Sequence, residues 1–298
     1  MTQVKKHHSS RVDAANPPEV GRRLFALALF VLGAGAASVA LLGPLRGEVI
    51  RYHASEGAVN QIVGGDVAGL LLVAPWSILA GVLVWRGHHT AGPVLALGPA
   101  LYALYMYSQL ALGGDFVRYP GNSERFFLLY LGLFVLGGAI AVRAWTLIDV
   151  EKLPGTARWA DRTIGVFFLV MAVFLVGGLH LPGLIDAWAD QPASTEYLAD
   201  PAVFWLVKFM DLGIVVPGLV LAGIGVLRAS RWVPKIKYAA VGWAALLGSS
   251  VAGMAIVMQL TGDPAATLAN TIAFTAFAAM ALGMAWVVYA PLLRKTIR

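Results

Sequence analysis

The chain contains no cysteine, which excludes disulfides, cysteine-ligated zinc, iron–sulfur clusters and thiol catalysis. Charge is also scarce. Asp, Glu, Lys and Arg make up 13% of the residues, against about 25% in soluble domains. There is no His-Glu-x-x-His pattern, no close histidine pair within an apolar run and no Gly-x-x-x-x-Gly-Lys-Ser/Thr loop, so metallohydrolase, haem and ATP-hydrolysing chemistries find no motif here. Ser108, Ser249 and Ser250 have no His–Asp setting beside them in sequence. No metal and no cofactor is expected.

Apolar residues are what the chain has in abundance. They account for 59% of it, and the mean hydropathy is +0.74. At about 20 apolar residues per membrane crossing, eight spans are predicted, at 24–42, 63–85, 91–112, 126–147, 164–185, 202–227, 238–260 and 269–293. The first is too long for the core of a signal peptide and is read as a retained helix. The predicted fold class is therefore an all-α polytopic transmembrane bundle of eight helices, with the lipid bilayer as its surroundings.

Charge placement orients it. With the tail inside, inner segments hold 17 of the lysines and arginines and outer loops hold 4, as the positive-inside rule requires. Both termini are expected in the cytoplasm and the chain in the cell (inner) membrane. The net charge of +6 is thus a matter of topology, and no nucleic-acid partner is expected. His7 and His8 fall in the polar tail.

Internal similarity adds a second level of organisation. Residues 66–86 and 211–228 each open with an aspartate, and each carries Leu-Ala-Gly six residues before a closing arginine (Leu79–Gly81 before Arg86, Leu221–Gly223 before Arg228). Gln109 with Asp115 and Gln259 with Asp263 end the third and seventh spans, while Leu42–Leu45 and Leu181–Leu184 end the first and fifth. Four helices duplicated into eight is the expected architecture. The two halves would share one orientation about an axis along the membrane normal. The corresponding divisions are a basic tail (1–23), a first membrane half (24–147), a linker (148–163), a second half (164–293) and a basic end (294–298).

Polar groups within the spans mark candidate chemistry, because ionisable side chains in a membrane helix are costly. At 1.5 Å per residue, Asp211 lies roughly 25 Å above Arg228, Lys208 roughly 30 Å above it, and Asp66 roughly 30 Å above Arg86. With His180, Gln109, Gln259 and Tyr105 they fall in the outer third, which suggests an outward-facing polar cavity between the halves. Each also has a structural reading. Lys208 could snorkel to headgroups or pair with Asp211. Asp66 could be an N-cap after Gly64–Gly65, and His180 an interfacial histidine at a helix end. Tyr102, Tyr105 and Gln109 form a stripe that could simply pack. Arg118, Tyr119, Glu124 and Arg125 read as a solvated loop.

Asp66 with its Leu-Ala-Gly helix, Gly98–Tyr105, Phe126–Tyr130 and Met210–Pro217 resemble a group of uncharacterised bacterial multi-pass membrane proteins. The resemblance spans residues 63–293 and implies the eight-helix fold, with no activity attached. Three function classes follow from the residues themselves. One is a permease for a small solute or ion, with or without a linked proton. A second is a membrane-embedded enzyme acting on a lipid or lipid-linked substrate, with Asp66 or Asp211 as general base. The third is a non-catalytic sensor or assembly subunit. A permease predicts a water path, an enzyme a lateral opening to lipid, and a subunit no cavity.

Overall fold

A computed structural model describes residues 19–230 and 232–297. The tail through residue 18, with His7 and His8, lies outside the described residues, as do Arg231 and Arg298. Among the described residues eight helices are long and apolar enough to cross a membrane. They are α1 (Glu19–Leu42), α2 (Glu56–Trp85), α3 (Ala91–Leu112), α4 (Ser123–Leu147), α5 (Arg158–Ala187), α6 (Pro201–Leu227), α7 (Val233–Thr261) and α8 (Leu268–Arg294). Among the described residues there is no strand.

The helices overrun the apolar runs that predict them, because their first turns are polar and capped. Ser55 caps α2, its Oγ accepting from the Ala58 amide at 3.2 Å. Glu56, Asn60 and Gln61 therefore lie inside that helix. This corrects the N-cap reading of Asp66, which sits well within α2, flanked by helix on both sides.

Glycine contacts bring the helices together, as expected where lipid supplies no hydrophobic drive between them. A Cβ on Gly33 would lie 3.0 Å from the Ala74 carbonyl, joining α1 to α2. One on Gly137 would lie 2.9 Å from the Ala100 carbonyl, joining α4 to α3. Gly165 and Gly223 do the same for α5 and α6, at 3.1 and 3.0 Å from each other's carbonyl oxygens. The closest approach of backbone to backbone links the first four helices to the last four. A Cβ on Gly64 of α2 would stand 2.3 Å from the Gly253 carbonyl carbon of α7. α7 also meets α3 at Gly98 and Gly242 and packs along α8.

Three helices are interrupted by π-helical turns, at Gly69–Val73 in α2, Phe174–His180 in α5 and Asp211–Val215 in α6. Each turn is followed within two residues by a proline, Pro75, Pro182 or Pro217. Proline has no N–H and its ring clashes with the carbonyl four residues back. In all three cases that carbonyl belongs to the π turn, whose wider winding makes the room.

α2 and α6 then run in step. A five-residue π turn is followed in each by a twelve-residue α-segment. An arginine (Arg86 or Arg228) closes it with ψ 0. The next residue, Gly87 or Ala229, has positive φ (84° and 49°). In this register the residue three before each π turn is Asp66 in α2 and Lys208 in α6. Asp211 stands opposite Gly69, so the opening aspartates of the two stretches are not structural counterparts.

Candidate functional site

A cavity of roughly 790 Å³ opens among the helices at the end that carries the α1–α2 and α3–α4 loops. Its wall reaches Ala36 of α1, Gly69 of α2, Tyr102 of α3 and Leu247 of α7, and goes no deeper along those helices. Beyond that level the bundle is closed. Tyr102 Oη and Ser250 Oγ are hydrogen-bonded at 2.8 Å across α3 and α7, beside the fully buried Leu246.

Six of the seven sequence-predicted site residues line this one cavity: Asp66, Tyr105, Gln109, His180, Lys208 and Asp211. Gln259 does not. It is exposed on α7, away from the wall.

Asp211 is the most connected of them. The Tyr105 hydroxyl of α3 donates to Oδ1 at 2.5 Å, and Nε2 of His180 in α5 is hydrogen-bonded to Oδ2 at 2.8 Å. All three groups converge where the α6 π turn begins. The pairing with Lys208 weighed from spacing alone is not formed, since no ion pair joins the two. Lys208 instead places its ammonium 3.3 Å from the centroid of the Phe204 ring, a cation–π contact. It is 4% exposed, so it does not snorkel out of the helix bundle. His180 is 2% exposed at the end of its own π turn, and its Nδ1 is buried without a partner. The reading of an interfacial histidine at a helix end is corrected, because α5 continues to Ala187.

Asp66 is 7% exposed, and its Oδ2 is buried without a hydrogen-bond partner. It lies against Gly43, where a Cβ would come within 2.8 Å of that oxygen. No other side chain bonds it among the described residues. The tyrosine stripe does more than pack, since Tyr102 bonds Ser250 and Tyr105 bonds Asp211.

The rim of the cavity is ordered rather than a freely solvated loop. Arg118 Nη1 donates to the carbonyls of Leu198 and Ala199 at 2.6 and 2.8 Å, and Tyr119 Oη to Ala199 at 2.9 Å. Ser55 Oγ donates to Asp200, and Asn60 Nδ2 to Asp263 at 3.4 Å. These bonds tie loops of the first four helices, and the first turns of α2, to loops of the last four. Sequence reading missed Asp200, Ser55 and Asn60, whose partners lie more than a hundred residues away and leave no local signal.

His53 in the α1–α2 loop bonds the Tyr119 carbonyl through Nδ1 and Glu124 through Nε2, both at 2.7 Å. Burial opposes its charged form, but the Glu124 carboxylate and the Tyr119 carbonyl together outweigh this and raise its pKa above the ordinary value. A raised folded-state pKa contributes stability that is complete below about pH 6.5 and is lost as pH rises through the folded value. Wild type should therefore lose about 1 kcal/mol or less between pH 6 and pH 9, and His53→Gln should flatten that slope. Parallel thermal melts of the two proteins across this range check it. Equal slopes would show that the His53 contact is not coupled to folding.

At the opposite end, Lys237 of α7 bonds Thr156 Oγ1 at 2.7 Å and Asp161 Oδ1 at 2.9 Å. This holds the α4–α5 linker in place, far from the cavity. Among the described residues no group of His, Asp and Glu is arranged to hold a metal ion. No family model, curated protein or solved structure matches the chain, so its function has to be argued from the cavity itself.

Proposed function

We propose that this chain is a proton-linked permease for a small solute, set in the cell (inner) membrane with both termini in the cytoplasm. The cavity then opens outward, in keeping with the excess of Lys and Arg at the opposite end. We further read the eight helices as two four-helix repeats of one orientation, a reading supported by the shared register of α2 and α6.

One observation carries the proposal. Asp211 stands at the head of a π turn, faces the solute-sized cavity, and holds Tyr105 of the first repeat and His180 of the second at once. A proton added at Oδ1 removes the acceptor from the Tyr105 bond, the one of the two that crosses between the repeats, and loosens that joint. Three proline-backed π turns supply places where helices can bend. Closing the rim and opening the sealed half would complete alternating access.

The other readings draw less support. A subunit with purely structural polar groups has no need of a cavity this size. For the enzyme, Asp211, one of its two candidate bases, already has both carboxylate oxygens engaged, by Tyr105 and His180.

Reconstituted vesicles loaded with a pH-sensitive dye test the proposal. Amino acids, amines, carboxylates and sugars are added outside one at a time. Internal acidification that depends on one solute class, and falls at least tenfold in Asp211→Asn, upholds it. Vesicles that respond to none of these solutes, or an Asp211→Asn protein that responds like wild type, would overturn it.

A further inference from the structure

Asp66 and Lys208 occupy the same place in α2 and α6, three residues before the π turn. Both line the cavity, both are buried, and one is an acid and the other a base. Neither has a hydrogen-bonded or ion-paired partner among the described residues. Asp66 has Gly43 against its Oδ2, and Lys208 has an aromatic ring under its ammonium, with the Glu196 and Asp211 carboxylates acting on it only across space. Buried charges are ordinarily paired, and Asp211, in the same cavity, has found two partners. An acid and a base left open in one cavity call for a ligand that brings the missing partner to each.

We infer that the cavity binds a zwitterion, a solute with an ammonium at one end and a carboxylate or phosphate at the other, its cation on Asp66 and its anion on Lys208. Tyr102, Tyr105 and Met106 form the wall along α3, an aromatic and apolar surface suited to the short hydrocarbon body between the charges. The two sites belong to different helix pairs and do not pair with each other, so the ligand spans a gap rather than sitting on one contact. This inference rests on the permease reading only in taking the cavity as a solute site.

The probes are ω-amino acids of increasing length, from glycine to 6-aminohexanoate. Each is compared with the n-alkylamine and the carboxylate of matching length, by calorimetry and thermal shift on protein in phosphatidylglycerol nanodiscs. One length of amino acid should bind at least tenfold more tightly than its matched amine or carboxylate. This wild-type comparison needs no variant. In Asp66→Asn the preference should shift toward the carboxylate, and in Lys208→Met toward the amine. An amine that binds wild type as well as the zwitterion, or no binding by any member of the series, overturns the inference. Nanodiscs containing phosphatidylethanolamine distinguish a free solute from a lipid headgroup of the same chemistry. Competition by that lipid assigns the headgroup and its absence the free solute, and the zwitterion site stands in either case. Binding without solute-driven acidification would refute the permease alone. Acidification by a sugar or a plain carboxylate that depends on Asp211 would refute the zwitterion alone.

Discussion

Gly64→Leu should prevent the eight-helix bundle from assembling, whereas Gly132→Leu should leave it intact. At Gly64 the backbones of α2 and α7 are in contact. A Cβ there would lie 2.3 Å from both the Gly253 carbonyl carbon and the Met254 nitrogen, and 2.4 Å from the Gly253 oxygen. No rotamer change relieves a clash with main chain, so the two helices would have to separate. That separation would reach the joint between the first and last four helices and the cavity wall formed by α2 and α7. The cost should exceed the roughly 1–3 kcal/mol typical of overpacking by a side chain. Gly132 has nothing within 4 Å of a built Cβ and serves as the control for simply enlarging a glycine in a membrane helix. Detergent-solubilised yield and the size-exclusion profile measure the outcome. A monodisperse Gly64→Leu protein melting within a few degrees of wild type would show that the α2–α7 contact is not tight.

Asp211→Ala should cost about 2–6 kcal/mol, because it leaves two buried polar groups unsatisfied at about 1–3 kcal/mol each. The loss has two sources. The Tyr105 hydroxyl loses its acceptor, and His180, whose Nδ1 already lacks a partner, loses the bond at Nε2 as well. Tyr105→Phe removes one of the two bonds to the carboxylate and should cost less, about 1.5–3 kcal/mol. In the double variant the two losses should fall short of additivity, because they share a bond. Equilibrium unfolding in mixed micelles gives all three values. Full additivity would mean that the Tyr105–Asp211 bond contributes nothing, and the account of Asp211 as the joint between the two sets of helices would fail.

Much of the fold was legible because burial in lipid leaves a long, simple signal. The predicted third span coincides with α3 in both bounds, and the sixth differs from α6 by one residue. The discrepancies lie at polar helix starts. The second span was drawn from residue 63, whereas α2 begins at Glu56, because a capped first turn carries no hydropathy. Helix rise alone puts Asp66, Lys208 and Asp211 near one level, and with His180 they share a cavity. Partnership was not legible. Spacing along α6 suggested Lys208 for Asp211, but the partners come from α3 and α5, and nothing local to residue 211 specifies them. The π turns had a sequence trace in Pro75, Pro182 and Pro217, since each proline disturbs the turn before it. Gln259 matches Gln109 in sequence setting, but it is exposed because of the rotation of α7, which a short polar motif does not fix.

The hold of Arg118 and Tyr119 on the carbonyls of Leu198 and Ala199 has a consequence for mutational scanning. Only one side of this joint is made by side chains. Truncating Arg118 or Tyr119 would register, while substitutions at 198 and 199 would leave the accepting oxygens in place. A scan would locate the joint wholly in the α3–α4 loop, although the segment before α6 carries half of it. Backbone-directed probes, such as ester substitution at the Ala199–Asp200 peptide bond, are what would reveal the silent half.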